Sequence, residues 1–191
     1  MIGHLNGRLV EKHPTEVVME CAGVGYEVKI SLNTFSALGA EESVKLLTRL
    51  IVREDAHILY GFATREEREM FGHLISVSGI GPNTAMLMLS SLTPEDIALA
   101  IQSEDVRTIQ GIKGIGAKTA QRVIIDLKDK MLKFTSVSQN MFSSNNTQRL
   151  DALTALVSLG FDKKAAEKAL DKIATGEETV EQLIKEALRI L

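Results

Sequence analysis

The chain has 191 residues, 45% of them hydrophobic but only 4% aromatic and none Trp, so its cores must be aliphatic. A formal net charge of −3 is unlike that of a general duplex-DNA binder, whose basic surface supplies most of its affinity. There is no run of about 18 apolar residues and no signal-peptide pattern, which argues against a membrane or secretory route and for the cytoplasm. The single cysteine, Cys21, excludes an internal disulfide and sits on an apolar strand pattern as a small core residue. His4, His13, His57 and His73 are scattered without ligand spacing, so neither a metal site nor a cofactor is assigned.

Residues 1–64 read as a small β-barrel. Strand-like stretches at 2–10, 16–21, 24–30, 44–52 and 56–62 are separated by turn signals at His13-Pro14 and Ala22-Gly23. A short helical or irregular insert at 33–38 falls between the third and fourth, which suits an oligonucleotide-binding (OB) barrel; another five-stranded barrel also fits. Arg53-Glu54-Asp55 falls at the tip of the last hairpin, where acidic residues are ordinary. If the barrel lies on DNA, those two carboxylates would repel phosphates and hold strands apart.

Residues 65–134 contain the most informative feature. Gly79-Ile80-Gly81-Pro82-Asn83-Thr84-Ala85 returns 35 residues later as Gly114-Ile115-Gly116-Ala117-Lys118-Thr119-Ala120. An apolar helical stretch leads into each copy, at 70–77 and 106–112, and another leaves it, at 84–89 and 119–127, giving helix, hairpin, helix twice. Two glycines around one apolar residue permit positive φ and close approach, so amides of the turn and of the next helix can face a phosphate while the isoleucine anchors the hairpin. Helix capping alone would explain one Gly, but not the second Gly or the matched Thr-Ala. A nucleotide-binding P-loop is rejected, because Lys118-Thr119 falls one position late after Gly111 and Gly116 and no apolar strand precedes Gly111. The implied readout is of backbone charge and shape, without base specificity.

Charge is spread evenly: residues 1–64 carry 6 basic and 8 acidic groups, 65–134 carry 9 and 9, and 135–191 carry 7 and 8. Affinity for DNA would therefore rest on local placement and on several copies acting together. Residues 135–148 hold no charge and little apolar pattern, and read as a flexible linker of at most about 45–50 Å. Residues 149–191 read as three short helices: Leu150, Leu153, Leu156, Val157 and Leu159 mark the first, 165–173 the second and 180–191 the third. Gly160 ends the first, and Thr179 with Gln182 suggests a capping box. Either Leu156, Leu159, Phe161 and Leu188 form the core of this small bundle, or some stay exposed as a docking surface.

The assembled chain resembles the RuvA family of bacterial Holliday-junction-binding proteins over nearly its whole length. The likeness rests on Met1-Ile2-Gly3, Gly23-Val24-Gly25-Tyr26-Glu27-Val28, Val52-Arg53-Glu54-Asp55-Ala56, Leu59-Tyr60-Gly61-Phe62, both Gly-Ile-Gly hairpins and Glu186-Ala187-Leu188-Arg189. The resemblance implies a multidomain α+β chain: an OB-fold barrel that assembles four subunits, a central all-α tandem helix-hairpin-helix domain gripping duplex arms, and a three-helix, UBA-like module docking on the AAA+ motor ATPase RuvB. It further implies a non-catalytic subunit acting in branch migration, recombination, DNA repair and the SOS response, with the junction resolvase RuvC as a further partner. It leaves open whether one tetramer or two clasp a junction. Residue by residue, it implies an acidic pin at Glu54 and Asp55. DNA contacts fall at Gly79, Ile80, Gly81, Asn83, Thr84, Gly114, Ile115, Gly116, Lys118, Thr119 and Arg122, with Arg53 and Lys29 approaching from the barrel. Motor contacts fall at Leu156, Leu159, Phe161 and Leu188. Asn83 departs from the lysine of many relatives and removes one cationic contact from the first hairpin.

Two other classes are weighed against this. A nuclease or glycosylase would need clustered carboxylates, whereas Asp126 and Asp129 lie on a Lys-rich helix as solvated charges. A single-strand-binding barrel would stack bases on aromatics, for which only Tyr26, Phe35, Tyr60 and Phe62 are on offer.

Overall fold

The computed structural model describes residues 1–39, 42–139, 144–173 and 178–191. The chain forms two compact units, Met1–Phe134 and Thr135–Leu191.

The first unit begins with five strands, β1 (His4–His13), β2 (Glu16–Cys21), β3 (Val24–Ile30), β4 (Ser43–Val52) and β5 (His57–Phe62). Alternation drives them: Val17, Met19, Val28, Ile30, Leu46 and Leu59 point inward and are buried, while Glu16, Glu27, Lys29 and Lys45 stay exposed. The strands close in the order β1-β2-β3-β5-β4, with β1 pairing to β4. A short parallel seam, Val28 to Leu59 through Ile30 to Gly61, completes the circle, and a Cβ at Gly61 would lie 2.6 Å from Val28 Cγ1. Helix α1 (Leu32–Ala37) lies between β3 and β4. This is the OB arrangement, and it settles the choice among five-stranded barrels. Strand β1 runs three residues beyond its expected end, since a register shift between Leu9 and Glu11 lets it follow β2 to the pair His13–Glu16. Cys21 is half-buried against the barrel core.

Five helices follow in residues 65–139: α2 (Arg65–Ile75), α3 (Pro82–Ser91), α4 (Pro94–Gln102), α5 (Val106–Gln110) and α6 (Ala117–Gln139). The sequence reading does not anticipate α4, although Thr93 caps it through a reciprocal box with Asp96 and Pro94 stands in its first turn. Helix α6 reaches Gln139, and α7 (Ser144–Ser158) starts within the expected linker, so 135–139 and 144–148 are helical where the sequence predicts a flexible segment. The physical reason on the α6 side is propagation: an established helix gains one hydrogen bond per added residue without a new nucleus. Residues 140–143 lie outside the described residues.

Barrel and helices share one apolar core, in which Tyr60 and Phe62 pack in tilted contacts on Phe71 of α2 with ring centroids 5.1 and 5.0 Å apart. Helix α1 joins them. Its Asn33 donates to the carbonyls of Leu89 (2.7 Å) and Leu92 (3.0 Å), and its Leu32 N–H donates to Ser90 Oγ (3.1 Å). Beneath lies a buried carboxylate, Glu67, which accepts from Ser31 Oγ, Thr34 Oγ1 and the Ala63 N–H at 3.2 Å. Those donors come from α1 and from the end of β5, so this one side chain ties three elements together.

The second unit packs α7, α8 (Lys163–Ile173) and α9 (Val180–Ile190) around Ala152, Leu156, Ala166, Ala169, Leu170, Leu183 and Ala187. Gly160 takes φ +99° where the chain leaves α7, and the Thr179–Gln182 capping box forms as read.

Replacing Glu67 by Ala strands the buried Ser31 and Thr34 hydroxyl donors, while the Ala63 N–H keeps Thr34 Oγ1 at 3.1 Å, and should lower the unfolding free energy by roughly 3 kcal/mol, measured by urea denaturation. A drop of under about 1 kcal/mol would show that the barrel and helices hold together without it.

Candidate nucleic-acid interface

The two hairpins match at the level of individual hydrogen bonds. The Ile80 N–H donates to Val77 O (3.0 Å) and the Ala85 N–H to Gly81 O (3.0 Å); their counterparts are Ile115 to Ile112 (3.1 Å) and Ala120 to Gly116 (2.9 Å). Gly79 and Gly114 turn the chain at φ +96° and +89°. Ile80 and Ile115 are buried as anchors, so their side chains face the core.

The second glycine of each copy does not use the positive φ that the sequence permits. Gly81 caps α3 with extended backbone at φ −83°, and Gly116 also lies outside the positive region. Neither has a protein atom within 4 Å of where a Cβ would stand. The fold itself therefore makes no use of their missing side chain, and what remains is access to the amides. Gly81 supplies no side-chain cap to α3, whose early N–H groups at Asn83 and Thr84 are left for an outside acceptor.

The hairpins lie side by side. A Cβ on Gly79 would come 3.8 Å from Thr119 Cγ2, and Arg122 Nη1 donates to Ser78 O at 3.3 Å. Arg122 thus clasps the first loop from the second hairpin's helix, a structural duty that sequence reasoning does not see. Lys118 stands exposed one turn earlier.

The barrel supplies a wall. Tyr60 Oη donates to Asn83 Oδ1 at 3.2 Å, and this bridge separates two hollows that both residues line. One, of about 250 Å³, holds Arg53 facing Gly81 and Thr84; the other, of about 290 Å³, holds Lys29 facing Leu87 and Ser90. Arg53 and Lys29 therefore both flank the first hairpin. Burial pushes the Tyr60 phenol above its ordinary pKa, partly offset by the nearby charge of Arg53, so the hydroxyl remains a neutral donor. The sequence offers Tyr60 only as a stacking aromatic; in the fold it and Phe62 are buried, so of the four barrel aromatics only the half-buried Tyr26 and Phe35 keep surface for a base.

At the β4–β5 tip, the Arg53 N–H donates to Ala56 O (2.8 Å), which closes the turn and leaves Glu54 and Asp55 exposed. Asp55 is bound to Arg53, with Nε to Oδ1 at 3.1 Å.

In the second unit Leu156 is fully buried in the bundle core, which corrects its expected place on the docking surface: it lies on the side of α7 that packs against the other two helices. Phe161 is half-buried against the same core, whereas Leu159 and Leu188 are 62% and 42% exposed. Val157, Ile190 and Leu191 are exposed as well, and the reading of the sequence does not include them in that surface.

Gly79→Ala and Gly114→Ala should each lower stability by roughly 1–2 kcal/mol, because they force a side chain into the left-handed region. Gly81→Ala should stay within about 0.5 kcal/mol of the parent in thermal or urea denaturation, yet weaken binding to a phosphate backbone. A Gly81→Ala protein that binds nucleic acid undiminished would remove the amides of α3 from the interface.

Comparison with known proteins agrees with this architecture. Residues 1–61 match the family described as "RuvA N terminal domain", 71–129 the "SAM-like Helix-hairpin-helix tandem" and 148–191 "RuvA, C-terminal domain". Full-length relatives named "Holliday junction branch migration complex subunit RuvA" include those of Flavobacterium psychrophilum (56% identical), Christiangramia forsetii (54%) and Cytophaga hutchinsonii (52%), each aligned over 100% of both chains. With two of its three segments matched by that family's own domains and relatives this similar along its entire length, the chain belongs to the RuvA family.

Proposed function

We propose that this protein binds four-way junction DNA through its phosphate backbone, without base specificity, and serves branch migration as the non-catalytic, DNA-holding subunit. The observation that supports this best is the pair of matched hairpins, with side-chain-free amides at Gly81 and Gly116, built on the same unit as an acidic tip. Each hairpin pair grips one duplex arm through amides around Gly79, Gly81, Gly114 and Gly116, with Thr84, Lys118, Thr119 and Arg122 alongside, and with Arg53, Lys29 and Asn83 on the barrel side. Ile80 and Ile115 serve from beneath, holding the turns in place.

The protein works as a homotetramer, one subunit per arm, alone or as two facing tetramers. Four arms matched by a fourfold ring turn four weak, nearly neutral grips into one strong one, and junction selectivity follows from geometry. Glu54 and Asp55 gather at the crossover, repel phosphates and keep the strands apart and mobile. The second unit presents Leu159 and Leu188, with Phe161 partly exposed beside them, to the motor ATPase RuvB; the resolvase RuvC acts on the same junction. The setting is cytoplasmic recombination, DNA repair and the SOS response. Among the described residues no single helix is long and apolar enough to cross a membrane.

Lys118→Ala should weaken binding to junctions of unrelated sequence by the same factor and reduce the slope of log affinity against log salt by about 0.9 for each phosphate it ceases to neutralise. Weakening confined to certain sequences would contradict backbone readout. A chain ending at residue 143 should hold junctions normally and fail to stimulate the ATPase; stimulation by the shortened chain would overturn the docking role.

A further inference from the structure

The two carboxylates of the β4–β5 tip are chemically unequal. Asp55 grips Arg53 with both oxygens, Nε to Oδ1 at 3.1 Å and Nη2 to Oδ2 at 3.3 Å. Glu54, exposed between them, forms no ion pair with any described residue. The same Arg53 lines the hollow whose far wall is Gly81, Asn83 and Thr84 of the first hairpin.

We infer that Asp55 acts as an intramolecular competitor for Arg53: a DNA phosphate entering the hollow beside the first hairpin takes the guanidinium from Asp55 and so unmasks the Asp55 charge at the tip. This rests on the proposed function and assigns the two acidic residues different parts in it. Without DNA, Arg53 and Asp55 cancel, and Glu54 alone carries the tip's net negative charge. With a phosphate on Arg53, both carboxylates are uncompensated. Gripping an arm thereby raises the repulsion at the crossover, and strands are driven apart only where an arm is held.

The geometry suits exchange. The Arg53 and Asp55 side chains are 62% and 69% exposed, so the pair is solvent-screened and weak. A backbone phosphate offers a guanidinium the same bidentate geometry and the same single negative charge as a carboxylate. The closed turn between Arg53 N and Ala56 O keeps the tip backbone fixed while the guanidinium moves.

The test is a double-mutant cycle on the full-length protein, reading affinity for a four-way junction by fluorescence anisotropy in Arg53→Gln, Asp55→Asn, Glu54→Gln and the two pairings with Arg53→Gln. Asp55→Asn should tighten binding about two- to fivefold more when Arg53 is present than when it is Gln, the scale of an exposed ion pair. Glu54→Gln should change affinity by the same factor in either background. Equal effects of Asp55→Asn with and without Arg53, or an Asp55→Asn protein that binds like the parent, would overturn the inference. Failure of the underlying reading looks different: the unmodified protein would then bind a junction no better than a linear duplex, whatever the cycle shows.

Discussion

Everything the first unit does depends on a buried carboxylate. Glu67 is a polar side chain taken out of water, tolerable because Ser31, Thr34 and the Ala63 amide surround it with donors. Those donors belong to the barrel and its inserted helix, and Glu67 belongs to the first helix of the hairpin region. Folding either part alone would leave the other's polar groups without partners, so the two are obliged to fold together. Asn33, reaching from α1 to the carbonyls that end α3, repeats the tie on the other side of the first hairpin. The consequence for function is a fixed spacing between the acidic tip of the barrel and the amides of the hairpins. A protein that reads shape needs such rigidity, because no base contact corrects a misplaced grip.

The proposed interface is built mainly from backbone, which fits the chain's charge. A chain of net charge −3 does not attract DNA by its overall field, and the contact residues proposed for it are amides, hydroxyls and a few well-placed cations. Asn83 fits this pattern: its carbonyl is held by Tyr60, which turns a neutral amide toward the hollows on either side instead of a mobile ammonium. Weak individual grips suit the proposed clamp, through which DNA would move. In the proposed tetramer, affinity comes from the number and placement of copies.

Much of this is legible in the sequence, and the parts that are not share a cause. The barrel strands show themselves through period-2 alternation, which is a local property, and the hairpins through a repeat that leaves identical hydrogen bonds 35 residues apart. The Thr179–Gln182 cap is readable because capping chemistry spans only three residues. Helix α4 stays hidden although Thr93 and Asp96 carry the same kind of signal, since its short apolar run blends with α3. The role of Tyr60 is invisible because it depends on Asn83, 23 residues away in sequence and on another element. The sequence allows positive φ at both glycines of each hairpin, whereas only Gly79 and Gly114 adopt it; composition permits that conformation without requiring it. Leu156 and Leu159 look alike in a leucine-rich helix, and only packing divides them into a core residue and a surface one.

The central claim is recognition by geometry, and competitive binding tests it most directly. The full-length protein is offered a labelled four-way junction against an unlabelled linear duplex of equal length and sequence, across a salt series. The account predicts strong preference for the junction that persists as salt rises. Equal affinity for both, falling steeply with salt, would contradict it and leave only a general phosphate-binding surface.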